Sequence, residues 1–159
     1  MKMQTLLIGA LLTGCVVSNG CSLEPPRSGI AHTNSSVANT QYEAVTFAKQ
    51  MLGAPYRYGG STPKGFDCSG LVYYSYSKAG YPIGRDSKSQ IAQTITIDPR
   101  DLRPGDLVFF DIKGSNTHIG IYIGDGQFIH APSSGKRVSY SSMDEQYWRE
   151  HFVRAGRLK

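Results

Sequence analysis

Apolar residues recur at helical spacing in the segment that follows residue 40. They occupy positions i, i+3, i+4, i+7 and i+8 of an amphipathic helix: Ala44, Phe47, Ala48, Met51 and Leu52. Asn39 or Thr40 supplies a capping side chain before the pattern, and Gly53 and Pro55 follow its last member. The pattern therefore predicts a helix that starts at Gln41 and opens the folded part of the chain.

A second helical segment begins at Cys68 or Ser69 and runs to about Ala79, where glycine and proline follow. Asp67 stands immediately before it. Aspartate is a favoured N-cap residue because its carboxylate accepts hydrogen bonds from the unpaired backbone N–H groups of the first turn. Cys68 is thereby predicted to lie in that first turn, and a shorter helix is predicted over residues 87–93.

After a turn at residues 103–106, the apolar pattern changes to the short aromatic and β-branched runs that are typical of strands. The predicted strands cover residues 107–110, 118–123, 127–130, 137–140 and 152–155. Helices followed by antiparallel strands indicate an α+β domain, with N-terminal helices packed on an antiparallel sheet. A chain of 159 residues is long enough for one such domain, which we assign to residues 41–159.

The tight turn at residues 124–126 allows the register of one hairpin to be predicted. If Asp125 is its centre, His130 faces Gly120, and His118 becomes a diagonal neighbour of His130 on the same face of the sheet. A two-residue turn or a bulge would place the two histidines on opposite faces instead. The alternation favours a shared face, open to a substrate, because the core positions would then be Ile119, Ile121 and Ile123.

The first residues follow the order of an export signal. Lys2 precedes an apolar run at residues 6–12 that is too short to cross a bilayer. The run ends in the sequence LTGC at residues 12–15, which resembles the lipobox of bacterial lipoproteins. The resemblance implies a signal peptide at residues 1–14 and acyl chains, palmitate among them, on Cys15. Cys21 is a rival lipidation site, and an ordinary signal peptide cleaved elsewhere is the alternative to lipidation.

Residues 15–40 comprise this cysteine and a stretch rich in turn-forming residues, which predicts a flexible tether. Several acyl chains would hold the protein on a membrane without a transmembrane helix. Val16 stands where an aspartate would resemble an inner-membrane retention signal. We therefore expect a chain anchored to the outer membrane and facing the periplasm, in a host that has two membranes.

The formal net charge of +5 comes from basic residues that are scattered along the chain. Such a distribution in an exported protein does not indicate nucleic-acid binding. Of the three cysteines, lipidation of Cys15 leaves Cys21 and Cys68. A disulfide between these two is one alternative, but Cys21 lies in the predicted tether, so Cys68 is expected to be a free thiol in an oxidising compartment.

The position of Cys68 suggests nucleophilic catalysis. A thiol at a helix N-terminus feels the positive end of the helix dipole, which predicts a lowered pKa. His118 would act as base and then as acid, and His130 would orient it through the other ring nitrogen. The backbone N–H of Cys68 would help to stabilise an oxyanion.

The same three side chains allow a metal-binding alternative. Cys68, His118 and His130 together could ligate zinc and leave the fourth position to water. Their spacing matches no local zinc motif, however, and a thiol at the start of a helix needs no metal to be activated. We therefore expect neither a metal nor another cofactor.

Six sequence motifs together resemble the NlpC-type family of bacterial cell-wall cysteine peptidases, in particular its short lipoprotein members, over residues 42–157. The motifs are YRYGG at 56–60, FDCSGLV at 66–72, RDS at 85–87 with Gln90, DLRPGDLVFF at 101–110, HIGIYIG at 118–124 and FIHA at 128–131. The resemblance implies a papain-like cysteine peptidase fold. It also implies a catalytic triad of Cys68, His118 and His130.

The resemblance further implies residues that contact the substrate, which would be the stem peptide of peptidoglycan. These are Tyr56, Asp67, Ser69 and Arg85, the last as a ligand of a substrate carboxylate. Gly84 stands where the family usually has a proline before this arginine. The bond implied is either γ-D-glutamyl-diaminopimelate or the D-alanyl-diaminopimelate cross-link, and the residues do not separate the two.

A non-catalytic cell-wall-binding lipoprotein on the same fold is the alternative function. The chain has ten tyrosines, and some of them around the second helix would suit a glycan-stacking surface. An intact set of Cys68, His118 and His130 favours the enzyme.

Overall fold

The computed structural model describes residues 30–112, 114, 118–133 and 136–159, with side chains described from residue 36 onward. The predicted signal peptide, Cys15 and Cys21 lie outside the described residues. Lipidation and the alternative disulfide between Cys21 and Cys68 therefore stay predictions.

Four α-helices occur in the described residues. They are α1 (Ile30–Gln50), α2 (Cys68–Lys78), α3 (Ser87–Ala92) and α4 (Gln146–His151). The starts predicted for α2 and α3 are confirmed, but the start predicted for α1 at Gln41 is wrong, because the helix already begins at Ile30. Residues 30–40, predicted to be tether, are thus helical. Val37 packs against the core and the buried Gln41 donates a hydrogen bond to Asp106 at 3.0 Å, so tertiary contacts accompany this extension.

The strands fall into two groups in the described part of the chain. They are β1 (Ser61–Thr62), β2 (Gly65–Phe66), β3 (Thr94–Ile97), β4 (Leu107–Phe110), β5 (His118–Gly124), β6 (Gln127–His130), β7 (Ser139–Ser142) and β8 (Phe152–Leu158). The first two form a small ribbon, and the other six form an antiparallel sheet in the order β3-β8-β4-β5-β6-β7. Strand β3 was not predicted, and β7 begins two residues later than expected.

Apolar side chains cover both faces of the central strands. On one face, α1 and α2 pack against alternate residues such as Leu107, Phe109 and Ile121. On the other face, α4 packs against the intervening residues Val108 and Phe110. The predicted α+β architecture, with N-terminal helices on an antiparallel sheet, is confirmed.

None of the helices in the residues that the structure describes is long and apolar enough to cross a membrane.

Candidate active site

A cavity of about 790 Å³ opens at the N-terminal end of α2. Six of the seven residues predicted for catalysis and substrate binding line it: Tyr56, Asp67, Cys68, Ser69, Arg85 and His118. Residues up to 62 positions apart in the sequence, Tyr56 and His118, thus meet in one place. The seventh, His130, lies behind His118, with a ring nitrogen of each histidine facing the other.

Local capping chemistry fixes the position of Cys68. Asp67 has an extended backbone, and its carboxylate accepts a hydrogen bond of 2.6 Å from the N–H of Gly70, so it is the N-cap that was predicted. Glycine is required at position 70 because a Cβ there would collide with the backbone oxygen of Gly60. This close approach allows the loop before β1 to lie against the first turn of α2, and Cys68 therefore opens the helix at the floor of the cavity.

Arg85 and Asp67 form a two-pronged ion pair beside the cysteine. The two terminal nitrogens of Arg85 donate to the two carboxylate oxygens of Asp67 at 3.0 and 2.9 Å. The same nitrogens also donate to Ser69 Oγ and to the carbonyl of Gly60, each at 3.1 Å. The contacts therefore favour a role for Arg85 in positioning the start of α2. Its predicted role as a ligand of a substrate carboxylate stays a prediction.

The two histidines share one face of the sheet, as the hairpin register predicted. Ile121 pairs with Ile129 and Tyr122 with Phe128, and the bulge is confined to the turn beyond Tyr122. Nε2 of His118 lies 2.7 Å from Nδ1 of His130, which is a strong hydrogen-bond distance. This bond leaves Nδ1 of His118 as the ring nitrogen available for a proton from elsewhere.

The face that carries the histidines is largely covered, although His118 reaches the cavity at which a substrate is expected to approach. His118 is 5% exposed and His130 is 1% exposed. The indole of Trp148 in α4 covers them, with ring centroids 5.4 Å from His118 and 4.9 Å from His130. Substrate access to His118 is therefore confined to its edge in the cavity.

Burial decides the protonation of the histidines. It lowers the pKa of His118 from 6.5 to about 4, because a charged ring would lose its hydration among aromatic side chains. It also lowers the pKa of His130 to about 3, with smaller contributions from the charges of His118 and Lys136. Both imidazoles are therefore neutral at pH 7 and able to accept a proton.

The thiol of Cys68 has a raised pKa, which corrects the lowered value predicted from the helix terminus. Burial is the largest cause, and the negative charge of Asp67 adds to it. Hydrogen bonds from the backbone N–H groups of Ser69, Ile119 and Cys68 itself oppose these effects without overcoming them. In the resting protein Cys68 is thus a neutral thiol and His118 a neutral imidazole. The thiol proton must therefore leave the sulfur when the sulfur attacks.

Tyr56 lies close enough to the cysteine to interact with it electrostatically. Burial raises the pKa of its phenol, and the charges of Cys68 and Asp67 raise it further. The phenol therefore stays protonated and can donate a hydrogen bond toward the cavity. Its backbone N–H is held by the carbonyl of Lys136 at 2.9 Å, which fixes this side of the opening.

The geometry does not favour the zinc alternative. In the hydrogen-bonded pair, Nε2 of His118 and Nδ1 of His130 point at each other and are too close for a metal ion to sit between them. No group of three or more His, Cys, Asp or Glu side chains in the described portion of the chain is arranged to hold a metal.

Two residues of the site were not identified from the sequence. Trp148 was not predicted to belong to the site, but it anchors α4 in the core and packs on both histidines. Ser141 was not considered, although its Oγ lies 3.1 Å from Nε2 of His130. No local sequence pattern marks a serine on an edge strand as part of a site. Ser141 lies beside His130 only because β6 pairs with β7.

Comparison with known proteins identifies the family. The NlpC/P60 family matches residues 53–157. The murein DD-endopeptidase MepH of Escherichia coli is 43% identical over 121 residues, which are 72% of this chain and 45% of that protein. The bifunctional muramidase/DL-endopeptidase CwlT of Bacillus subtilis is 44% identical over 123 residues, which are 74% of this chain and 37% of that protein.

A solved structure of the same family also matches this chain. An NlpC/P60 family protein from Bacillus cereus superposes with a TM-score of 0.70 and 35% identity, covering 74% of this chain and 40% of that one. The chain thus spans less than half the length of each of these three relatives. The predicted papain-like fold and the resemblance stated from the motifs are both confirmed. This chain belongs to the NlpC/P60 family.

Proposed function

We propose that the protein is a peptidoglycan hydrolase, a cysteine-type endopeptidase that cleaves amide bonds in murein stem peptides. One observation carries the proposal: Cys68 at a helix N-terminus shares a cavity with His118, whose far ring nitrogen lies 2.7 Å from His130. The names of two relatives, a murein DD-endopeptidase and a muramidase/DL-endopeptidase, support the same substrate.

In the proposed reaction, the sulfur of Cys68 attacks the carbonyl carbon of the scissile amide. Nδ1 of His118 takes the thiol proton during the attack, because Nε2 is engaged with His130. The electron pair of the carbonyl moves to its oxygen. The backbone N–H of Cys68 stabilises the resulting negative charge.

The tetrahedral intermediate then collapses and the C–N bond breaks. His118 returns its proton to the leaving amine, and the acyl group stays on Cys68 as a thioester. A water molecule, deprotonated by His118, attacks this thioester, and the C–S bond breaks as the sulfur regains a proton. Each proton that His118 accepts is donated again, so the enzyme ends in its starting state.

Side chains at the cavity wall would hold the stem peptide. Tyr56 presents a phenol, and Ser69 and Asp67 flank the nucleophile. The cavity has room for an extended peptide, since its volume is about 790 Å³. Stem-peptide binding at these residues is part of the proposal.

Purified sacculi provide the decisive test. The wild-type protein is expected to release muropeptide fragments, and Cys68→Ala is expected to release none while keeping its circular dichroism spectrum. Alkylation of the thiol should abolish release, whereas a chelator should not change it. If Cys68→Ala releases fragments as fast as the wild type, the hydrolase proposal is wrong. If neither protein releases fragments but both bind sacculi, the non-catalytic wall-binding alternative is correct.

The bond that is cut requires a separate measurement. The names of the relatives include both a DD-endopeptidase and a DL-endopeptidase, so they support either cleavage. Mass spectrometry of digested sacculi separates the two. Loss of cross-linked dimers indicates cleavage at D-alanyl-diaminopimelate, and shortened stems that end in D-glutamate indicate cleavage at γ-D-glutamyl-diaminopimelate.

We also propose that acyl chains on Cys15 anchor the protein to the outer membrane, on its periplasmic side. The lipobox-like sequence at residues 12–15 and Val16 after the cysteine support this proposal. The full chain should incorporate labelled palmitate and fractionate with the outer membrane. Cys15→Ala should abolish both properties, and Cys21→Ala should change neither. If Cys21→Ala abolishes both properties and Cys15→Ala changes neither, Cys21 is the lipidated residue.

A further inference from the structure

The hydrogen-bonded pair of histidines continues to a third side chain. Nε2 of His118 faces Nδ1 of His130 at 2.7 Å, and Nε2 of His130 faces the hydroxyl oxygen of Ser141 at 3.1 Å. His130 is 1% exposed, so water has almost no access to this ring. A buried ring N–H needs a partner, since leaving it unpaired costs free energy. Ser141 is the partner that the described residues provide.

The proposed reaction restricts which nitrogen and oxygen atoms of His118, His130 and Ser141 can carry hydrogen. When His118 has taken the thiol proton, both of its ring nitrogens carry hydrogen, so Nε2 must donate to His130. Nδ1 of His130 must then accept, and a neutral imidazole that accepts at Nδ1 carries its hydrogen on Nε2. That N–H points at Ser141, whose oxygen must accept it. The charged intermediate is therefore compatible with only one orientation of the Ser141 hydroxyl.

We propose that Ser141 is a positioning residue of this active site, whose hydroxyl oxygen accepts a hydrogen bond from Nε2 of His130 and so keeps both imidazoles in the tautomers that catalysis requires. The opposite arrangement, in which the hydroxyl donates to His130, would move a hydrogen to Nδ1 of His118. That nitrogen could then no longer accept the proton of Cys68. The inference about catalysis rests on the proposed function, but the tautomers can be measured without a substrate.

Strand pairing accounts for the position of Ser141. In the ladder of β6 and β7, Ser139 pairs with His130 and Ser141 pairs with Phe128. The hydroxyl of Ser141 therefore reaches His130 diagonally, on the same face of the sheet. Ser139 lies on the same strand and makes no side-chain hydrogen bond to either histidine in the described structure, so it serves as a matched control.

The first experiment records ¹⁵N spectra of the histidine rings, which distinguish Nδ1–H from Nε2–H tautomers. In the wild type at pH 7, both His118 and His130 are expected to carry hydrogen on Nε2. Ser141→Val should shift His130 toward a mixture of tautomers, because valine has no acceptor and fills the space that water would need. Ser141→Thr, which keeps the hydroxyl, should restore the wild-type spectrum. A wild-type His130 that carries its hydrogen on Nδ1 overturns the inference without any variant.

The second experiment measures hydrolysis of a soluble cross-linked muropeptide. Ser141→Val should lower kcat by about 10- to 100-fold, the size expected for an unpaired buried N–H, and leave KM within about twofold, since Ser141 does not line the cavity. Ser141→Thr should recover most of kcat, and Ser139→Val should match the wild type. Unchanged kcat and ring spectra in a folded Ser141→Val overturn the inference. A wild type that shows the expected tautomers but no hydrolysis overturns the proposed function alone.

Discussion

The indole ring of Trp148 stacks on the imidazole of His118, with an angle of 25° between the planes and 5.4 Å between the centroids. The same indole stands perpendicular to His130 at 4.9 Å. Trp148 is itself 7% exposed and packs with Phe110 and Phe128. One side chain from α4 therefore covers both histidines and contributes to the burial that lowers their pKa values.

Removing this indole should affect both stability and protonation. Trp148→Ala is expected to lower the free energy of unfolding by about 3–5 kcal/mol, as found for large aromatic residues in cores. It should also raise the pKa of His118 toward 6.5, because water reaches the ring. Urea unfolding and NMR titration of the histidines measure the two effects.

Tyr147→Ala is the neighbouring control for Trp148. Tyr147 is 47% exposed, so its loss should leave the pKa of His118 unchanged and change stability much less. Trp148→Phe keeps an aromatic cover and should lie between the wild type and Trp148→Ala on both measurements. An unchanged His118 pKa in Trp148→Ala would contradict the role given to the indole.

Local patterns predicted the elements that carry the nucleophile and the histidines. The capping aspartate and the helical spacing after it identified the start of α2, and the tight turn at Asp125 predicted the hairpin register. These features depend on residues that are close in sequence, where capping and turn chemistry act. The prediction that Cys68 and His118 share a site followed from chemistry and from the resemblance of the motifs to a known family.

Features that depend on distant residues were missed. The edge strand β3 has the alternating, β-branched sequence TITI, but it is only four residues long and pairs only with β8, some sixty residues later in the described chain. The raised pKa of the Cys68 thiol was missed because the helix terminus was considered without the burial that outweighs it. The contacts of Trp148 and Ser141 likewise exist only after the sheet and α4 have packed together.

The ion pair between Arg85 and Asp67 leads to a second prediction. Arg85→Ala leaves the Asp67 carboxylate, with only 15% of its side chain exposed, without its charged partner. We expect a loss of about 1–2 kcal/mol in the free energy of unfolding, since Arg85 is itself one-third exposed and partly screened. If Arg85 positions α2, kcat falls and KM changes little; if it binds a substrate carboxylate, KM rises most.

A surface pair provides the control for this measurement. Arg100 and Asp98 make a contact of similar length, 2.6 Å, but the arginine side chain is 89% exposed. Arg100→Ala should leave both stability and activity nearly unchanged. A double-mutant cycle with Arg85→Ala and Asp67→Asn should show coupling, because the two side chains share two hydrogen bonds. Additive effects of the two substitutions would contradict the positioning role.

The raised pKa of Cys68 predicts how the thiol reacts with an alkylating agent. Thiolate is the reactive species, so the rate with iodoacetamide should rise with pH and reach half its maximum above pH 9, the usual value of the thiol. Asp67→Asn removes a negative charge that raises the pKa, so its profile should move to lower pH, provided that the variant keeps its fold. A plateau of fast alkylation at pH 6–7 would show an ion pair of thiolate and imidazolium instead of the neutral pair.

The buried histidines predict the pH dependence of stability. In the unfolded chain, His118 and His130 take up protons as the pH falls through about 6.5, whereas in the folded protein they do so only near 4 and 3. Between these values the unfolded state binds more protons, so acid favours unfolding. The loss should approach about 1.4 kcal/mol per pH unit for each histidine. The contribution of the two neutral histidines to the free energy of unfolding is therefore fully present above pH 6.5, and it is lost progressively toward pH 4.

Replacing the two rings isolates their contribution from that of the carboxylates, which also titrate in acid. The variant His118→Asn with His130→Asn should show a flatter dependence of the unfolding free energy on pH between 6.5 and 4 than the wild type. In kcat/KM, the acid limb of the wild type should lie well below pH 6.5, because His118 stays neutral there and can still accept the thiol proton. If the acid limb lies at pH 6.5, and if the stability of the double variant depends on pH as steeply as that of the wild type, water reaches both rings, contrary to their burial behind Trp148.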